Sequence, residues 1–166
     1  IQEIASGLCY LHNRSPNPLY HGDMKGVSLF LHVLISEEGR ALLTDFGLSL
    51  LTNSSFSVST TGKIRGSLQW MAPEMWEQSG QVPTVARDVW AFGMMALELF
   101  THEDPFHLIN GTAAIMMKIL KGPPDRPSAE NTCFHLTDEW WDMCSECWHS
   151  DPSMRPTMLQ VAKKIE

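Results

Sequence analysis

The sequence predicts a mainly α-helical domain with one small β-hairpin near residues 33–44. Three observations predict it. Apolar residues recur at helical spacing in five separate stretches. Only Val33-Leu34-Ile35 and Ala41-Leu42-Leu43-Thr44 read as strands, and Ser36-Glu37-Glu38-Gly39 between them reads as their turn. No repeat and no linker divides the 166 residues, a length that buries a real core.

Each element follows from its residues. Ile1, Ile4, Ala5, Leu8, Cys9, Leu11 and His12 share a helical face, and Pro16, Asn17 and Pro18 within residues 14–18 end that helix. The stretch from Asn53 to Gly66 is rich in Ser, Thr and Gly and poor in apolar residues, the composition of a surface loop. From Arg87 to Thr101 apolar residues lie on every side, which predicts a helix in the middle of the domain. A shorter amphipathic helix is expected over Ala113–Leu120, stopped by Gly122-Pro123-Pro124. Two more are expected over Asp138–Trp148 and Met154–Ile165, the last one introduced by Asp151 and Pro152.

Composition excludes several classes of function. Twelve Lys and Arg against nineteen Asp and Glu give a net charge of −7. Nucleic-acid binding and polybasic attachment to a membrane surface both ask for the opposite sign. No run is long enough to span a bilayer; the longest apolar stretch, Val89 to Phe100, is broken by Glu98. The start, Ile1-Gln2-Glu3, lacks an initiator Met, a basic n-region and an apolar h-region, and reads as the edge of a piece cut from something longer. Sequons at Asn13, Asn53 and Asn110 read as chance occurrences. Four Cys do not make a disulfide scaffold. A zinc site from Cys133, Cys144, Cys147 and His135 or His149 is suggested by the Cys-x-x-Cys spacing. However, Cys144 and Cys147 fall in a helix beside Trp140, Trp141 and Trp148, where core thiols are the commoner outcome.

Five clusters carry candidate chemistry. In His21-Gly22-Asp23-Met24-Lys25, a carboxylate can accept a hydroxyl proton while an ammonium two residues on neutralises phosphoryl charge. By itself the pattern is weak, because Asp-x-Lys in a loop is more often a solvated surface pair. Asp45-Phe46-Gly47 follows a strand, where the Asp can reach a hard cation or simply make a turn. Trp70-Met71-Ala72-Pro73-Glu74, Asp88-Val89-Trp90-Ala91-Phe92-Gly93 and Asp151-Pro152-Ser153-Met154-Arg155-Pro156 each have a plain structural reading as loop, core helix and helix start.

Their order changes the inference. His-x-Asp-x-Lys, Asp-Phe-Gly, a Ser/Thr-rich loop, Ala-Pro-Glu, Asp-x-Trp-x-Phe-Gly and a final Arg-Pro together resemble the C-terminal lobe of a protein kinase, over nearly the whole chain. Trp70 to Glu74 and Cys147-Trp148 further resemble the tyrosine-kinase-like group of serine/threonine kinases. The resemblance implies a protein kinase C-lobe over 1–166, a cytoplasmic setting, a protein substrate or protein partner, and ATP and Mg²⁺ as cofactors. It implies that Asp23 is the catalytic base, that Lys25 steadies the γ-phosphate and that Asp45 ligates Mg²⁺, with Phe46 and Gly47 completing that motif. Leu48 to Met71 would form the activation segment, with Ala72, Pro73 and Glu74 at its end. Glu74 and Arg155 would make an ion pair, and Asp88 would hold the catalytic loop by hydrogen bonds. Lys25, with Ser67 where serine/threonine members carry Thr, looks like serine/threonine specificity.

Three departures from the family pattern matter. Gly22 stands where an Arg usually gathers a phosphorylated loop residue, so activation through Thr60, Thr61 or Ser67 is disfavoured. The usual second metal ligand, an Asn about five residues after the base, is Ser28 by that count. Counting back roughly 13 from Asp45 gives His32 instead. The counts differ because a short insertion falls within Val27–His32. Strand register favours His32 beside Asp45, with Ser28 in a bulge and Val33 and Ile35 facing the core. Third, these residues contain neither Gly-x-Gly-x-x-Gly nor a Val-Ala-x-Lys strand. Two readings follow: a serine/threonine kinase truncated to one lobe and inactive alone, or a pseudokinase fragment serving as an interaction module.

Overall fold

In the computed structural model, residues 1–16, 18–22, 24, 33–44, 68–77 and 84–165 are described. Six α-helices and one two-stranded sheet lie among them: α1 Gln2–His12, β1 Val33–Ile35, β2 Ala41–Leu43, α2 Glu74–Glu77, α3 Val85–Thr101, α4 Thr112–Lys121, α5 Asp138–Cys147 and α6 Met158–Lys164.

The centre is α3, buried without interruption from Arg87 to Glu98. Every face meets apolar neighbours, as its all-round hydrophobicity requires. It packs against α5, α1 and the segment Leu68–Trp70. The approach of α5 is set by Gly93, where a Cβ would come 2.6 Å from Trp148 Nε1 and 3.0 Å from Cys147 Cβ. Any larger residue must push the two helices apart. His102 ends α3 in the left-handed region, at φ 57°.

Helix α1 lies along α6 and β2. The strands pair antiparallel, Val33 with Leu43, Leu34 with Leu42 and Ile35 with Ala41. A Glu3 carboxylate oxygen accepts the Ala41 amide at 2.6 Å, and Gly7 sits against Leu43. Strand β2 is therefore held by α1, and β1 is the outer strand. Val33 packs against the core, as expected, but Ile35 does not: it is 68% exposed. The expected inward alternation fails there because Ile35 sits at the turn end of the strand remote from α1.

A second correction concerns the C-terminus. The helix expected over Met154–Ile165 is two elements, a single 3-10 turn over Pro152–Met154 and then α6. Pro156 disfavours helical backbone at the residue before it, and Arg155 is extended at φ −69° and ψ 143°. Asp151 caps the 3-10 turn, accepting from Ser153 N at 2.9 Å. Helix α6 starts afresh with a capping box between Thr157 and Gln160. Cys144 and Cys147 lie in the core of α5; burial pushes the Cys144 thiol up to about 12 and the Cys147 thiol up as well. Cys133 is exposed. No helix among the described residues is long and apolar enough to cross a membrane.

Candidate active site

Two constellations converge on the first turn of α3. The first is built on Asp88, which is 1% exposed. Its Oδ2 accepts the His21 amide at 2.7 Å, and its Oδ1 accepts the Gly22 amide at 2.9 Å. His12 Nε2, from the last turn of α1, lies 2.9 Å from Oδ2. A buried carboxylate is stable only when donors surround it, and these three supply that shell. The His21 ring is itself fully buried, with Nε2 2.9 Å from the Thr44 carbonyl oxygen just beyond β2. Met24 is 2% exposed within the main core. The loop is thus held at 21 and 22 by hydrogen bonds and at 24 by apolar burial.

Gly22 adopts φ +77°, and no atom lies within 4 Å of where its Cβ would be. Space does not select glycine there, but backbone conformation does. Gly22→Ala is expected to destabilise by about 1 kcal/mol. Gly22→Asn should cost less, because Asn tolerates the left-handed region better. Equal melting temperatures for Gly22→Ala and the unmodified chain would show that the loop does not hold this conformation.

The second constellation joins the end of the 68–77 segment to the C-terminal helices. Arg155 Nη1 and Nη2 each donate to one Glu74 oxygen at 2.8 Å. Arg155 Nε donates to the His149 carbonyl at 2.9 Å, and Nη1 also donates to the Ala86 carbonyl at 3.0 Å. The guanidinium carbon stands 5.1 Å from the Trp90 ring centroid. The extended backbone before Pro156 turns this side chain inward. Ala72 is buried and Pro73 is half-buried. The pKa of Arg87, the third residue of α3, is lowered by burial, while the Glu74 carboxylate opposes that shift and the Arg155 charge adds to it. Trp70 Nε1 donates to the buried Glu98 carboxylate at 3.0 Å, which fastens the start of the segment to α3.

Of the residues singled out in the sequence, the structure brings together Glu74 with Arg155, and Asp88 with the His21–Gly22 loop. Asp23, Lys25, Ser28, His32, Asp45, Phe46, Gly47 and Ser67 lie outside the described residues, as does the stretch 45–67. Sequence reasoning missed three contributors. His12 read only as a helix-face residue. The His21 ring contact to Thr44 had no local signal. Met24 could have been found, as an apolar residue between two charged ones.

The protein kinase domain family model matches residues 1–165. The chain is 35% identical over 161 residues to mitogen-activated protein kinase kinase kinase 7 of Drosophila melanogaster, covering 96% of this chain and 21% of that protein. It is 30% identical over 171 residues to mitogen-activated protein kinase kinase kinase 10 of Homo sapiens, covering 99% and 16%. It is 28% identical over 163 residues to the putative serine/threonine-protein kinase/receptor R831 of Acanthamoeba polyphaga mimivirus, covering 98% and 10%. The chain belongs to the protein kinase domain family. Its similarity to serine/threonine kinases agrees with the group resemblance carried by Trp70–Glu74 and Cys147-Trp148. The chain spans between 10% and 21% of the length of these three relatives.

Proposed function

We propose that this chain is the catalytic-loop and helical half of a serine/threonine protein kinase, a lobe that contributes to phosphoryl transfer but does not perform it alone. The single observation that carries the reading is the Asp88 clamp. It holds successive amides of the loop immediately before Asp23 at 2.7 and 2.9 Å, and phosphoryl transfer depends chiefly on positioning and charge stabilisation.

In this reading Asp23 accepts the proton of a substrate hydroxyl, and Lys25 neutralises charge on the transferring group. ATP with Mg²⁺ supplies the phosphoryl donor when bound. The donor set fits that metal in part: the Asp45 carboxylate suits a hard cation, whereas a Ser28 hydroxyl or a His32 imidazole at the second position does not. Neither a glycine-rich loop nor a strand Lys occurs in these 166 residues, so the phosphates need groups from elsewhere. The outward-facing Leu34–Leu42 pair, 44% and 49% exposed, offers an apolar surface for a second lobe to cover. Gly22 in place of the usual Arg favours a loop that does not await phosphorylation.

The alternative is a pseudokinase module, favoured by the missing Asn. An assay of the purified chain with Mg-ATP and Ser/Thr peptides addresses the half-site claim. No phosphate transfer is expected. Turnover that Asp23→Asn abolishes would overturn the claim that the chain is incomplete alone.

A further inference from the structure

We propose that Asn110 is a site of spontaneous deamidation, in which the Gly111 nitrogen displaces ammonia from the Asn110 carboxamide and leaves an aspartyl or isoaspartyl residue at the start of α4.

The fold itself requires the dipeptide that this chemistry needs. Gly111 is the residue before α4 and adopts φ +96° and ψ 135°, a conformation that residues with a Cβ rarely take. No atom lies within 4 Å of where its Cβ would be, so backbone conformation and not space selects glycine. The same missing Cβ leaves the Gly111 nitrogen open to the side chain that precedes it. Asn110 and Gly111 are both exposed. The chain is fastened on either side of the reacting atoms: Ile109 N donates to the Phe106 carbonyl at 2.8 Å, and the Gly111 carbonyl accepts Ile115 N at 3.1 Å. Among the described residues, no hydrogen bond holds the Asn110 carboxamide or the Gly111 N–H.

The other four asparagines are worse placed. Asn13 precedes Arg14, and its Nδ2 donates to the Cys9 carbonyl at 2.8 Å and to Cys9 Sγ at 3.3 Å. Asn17 precedes Pro18, whose nitrogen carries no proton to give up. Asn53 and Asn131 precede Ser54 and Thr132, each with a Cβ in the way of the attacking nitrogen.

The step balances as amide plus water giving acid plus ammonia. Hydroxide removes the Gly111 amide proton, and the nitrogen attacks Asn110 Cγ. The N–Cγ bond forms, the Cγ–Nδ2 bond breaks, and Nδ2 leaves as ammonia with a proton from water. Water then opens the cyclic imide at either carbonyl. Opening at Cγ restores the main chain with a new carboxylate, which favours the positive end of α4. Opening at the α-carbonyl routes the main chain through the side-chain carbon. That isoaspartyl link adds one atom between residues 110 and 111, displacing the carbonyl that accepts Ile115 N and loosening the first turn of α4.

Peptide mapping by mass spectrometry tests this on the full chain aged in mildly alkaline buffer, folded and in guanidinium chloride. The amide-to-acid mass gain should arise at Asn110 before any other asparagine. Its rate in the folded chain should fall within about threefold of the denatured rate, because exposed segments open at almost no cost. An isoaspartate-specific methyltransferase should label the aged chain and leave aged Asn110→Gln unlabelled, since glutamine would have to close a larger ring. Earlier conversion at Asn53 or Asn131, a folded-state rate far below the denatured one, or equal labelling of Asn110→Gln would each overturn the proposal.

Discussion

Arg155→Ala is expected to destabilise the fold by about 3 kcal/mol. The side chain is fully buried and serves four acceptor atoms: both Glu74 oxygens and the carbonyls of His149 and Ala86. Alanine leaves the Glu74 carboxylate, only 13% exposed, without its bidentate partner. It also leaves two carbonyls without that donor and a void beside Trp90. Arg87 softens the loss, because its charge still acts on Glu74. For that reason the effect falls at the lower end of the range for breaking a buried pair. In a domain of this size such a loss lowers the melting temperature by roughly 6–12 °C. Arg155→Lys should recover only part of it, because an ammonium cannot make two parallel bonds to one carboxylate. An unchanged melting curve for Arg155→Ala would rule out the tie between the 68–77 segment and the C-terminal helices.

Asp23→Asn, in the chain joined to the lobe that completes its nucleotide site, is expected to lower kcat by about 10²- to 10⁴-fold. Asparagine has nearly the same shape, and the residues on either side are held independently: Gly22 through its amide to Asp88, and Met24 by burial. On the proposed reading the substitution removes a proton acceptor without unfastening the loop. KM for the peptide and the melting temperature should therefore change little. A parallel rise in KM or a fall in stability would mean that Asp23 holds structure rather than a proton. Retained kcat would mean that Asp23 is not the proton acceptor, and absence of turnover in the joined protein before substitution would favour the interaction-module reading.

Much of this architecture is legible in the sequence because its signals are local. The all-round apolar pattern of Arg87–Thr101 announces a central helix, and its Asp88 and Gly93 are explained by what surrounds them: a loop to be clamped and a neighbouring helix at close approach. The Glu74–Arg155 contact was reached through the family resemblance, since no periodicity links positions 81 apart. What escaped reading depends on tertiary placement. Ile35 has a strand residue's chemistry, but its exposure is decided by which strand α1 lies along. Met154–Ile165 has helical spacing, yet the Arg155-Pro156 bond breaks it and sends the guanidinium inward. His12 looks like any helix-face residue until Asp88 arrives from the far side of the core.

The claim that this chain forms one half of a phosphoryl-transfer site is tested most directly by titration calorimetry with Mg-ATP. The chain alone and the chain joined to a lobe carrying a glycine-rich loop and a strand Lys are compared. The account predicts no saturable binding to the chain alone. On joining, it predicts Mg²⁺-dependent binding that Asp45→Asn weakens. Saturable Mg-ATP binding by the chain alone, or binding to the joined protein that is indifferent to both Mg²⁺ and Asp45→Asn, would contradict it.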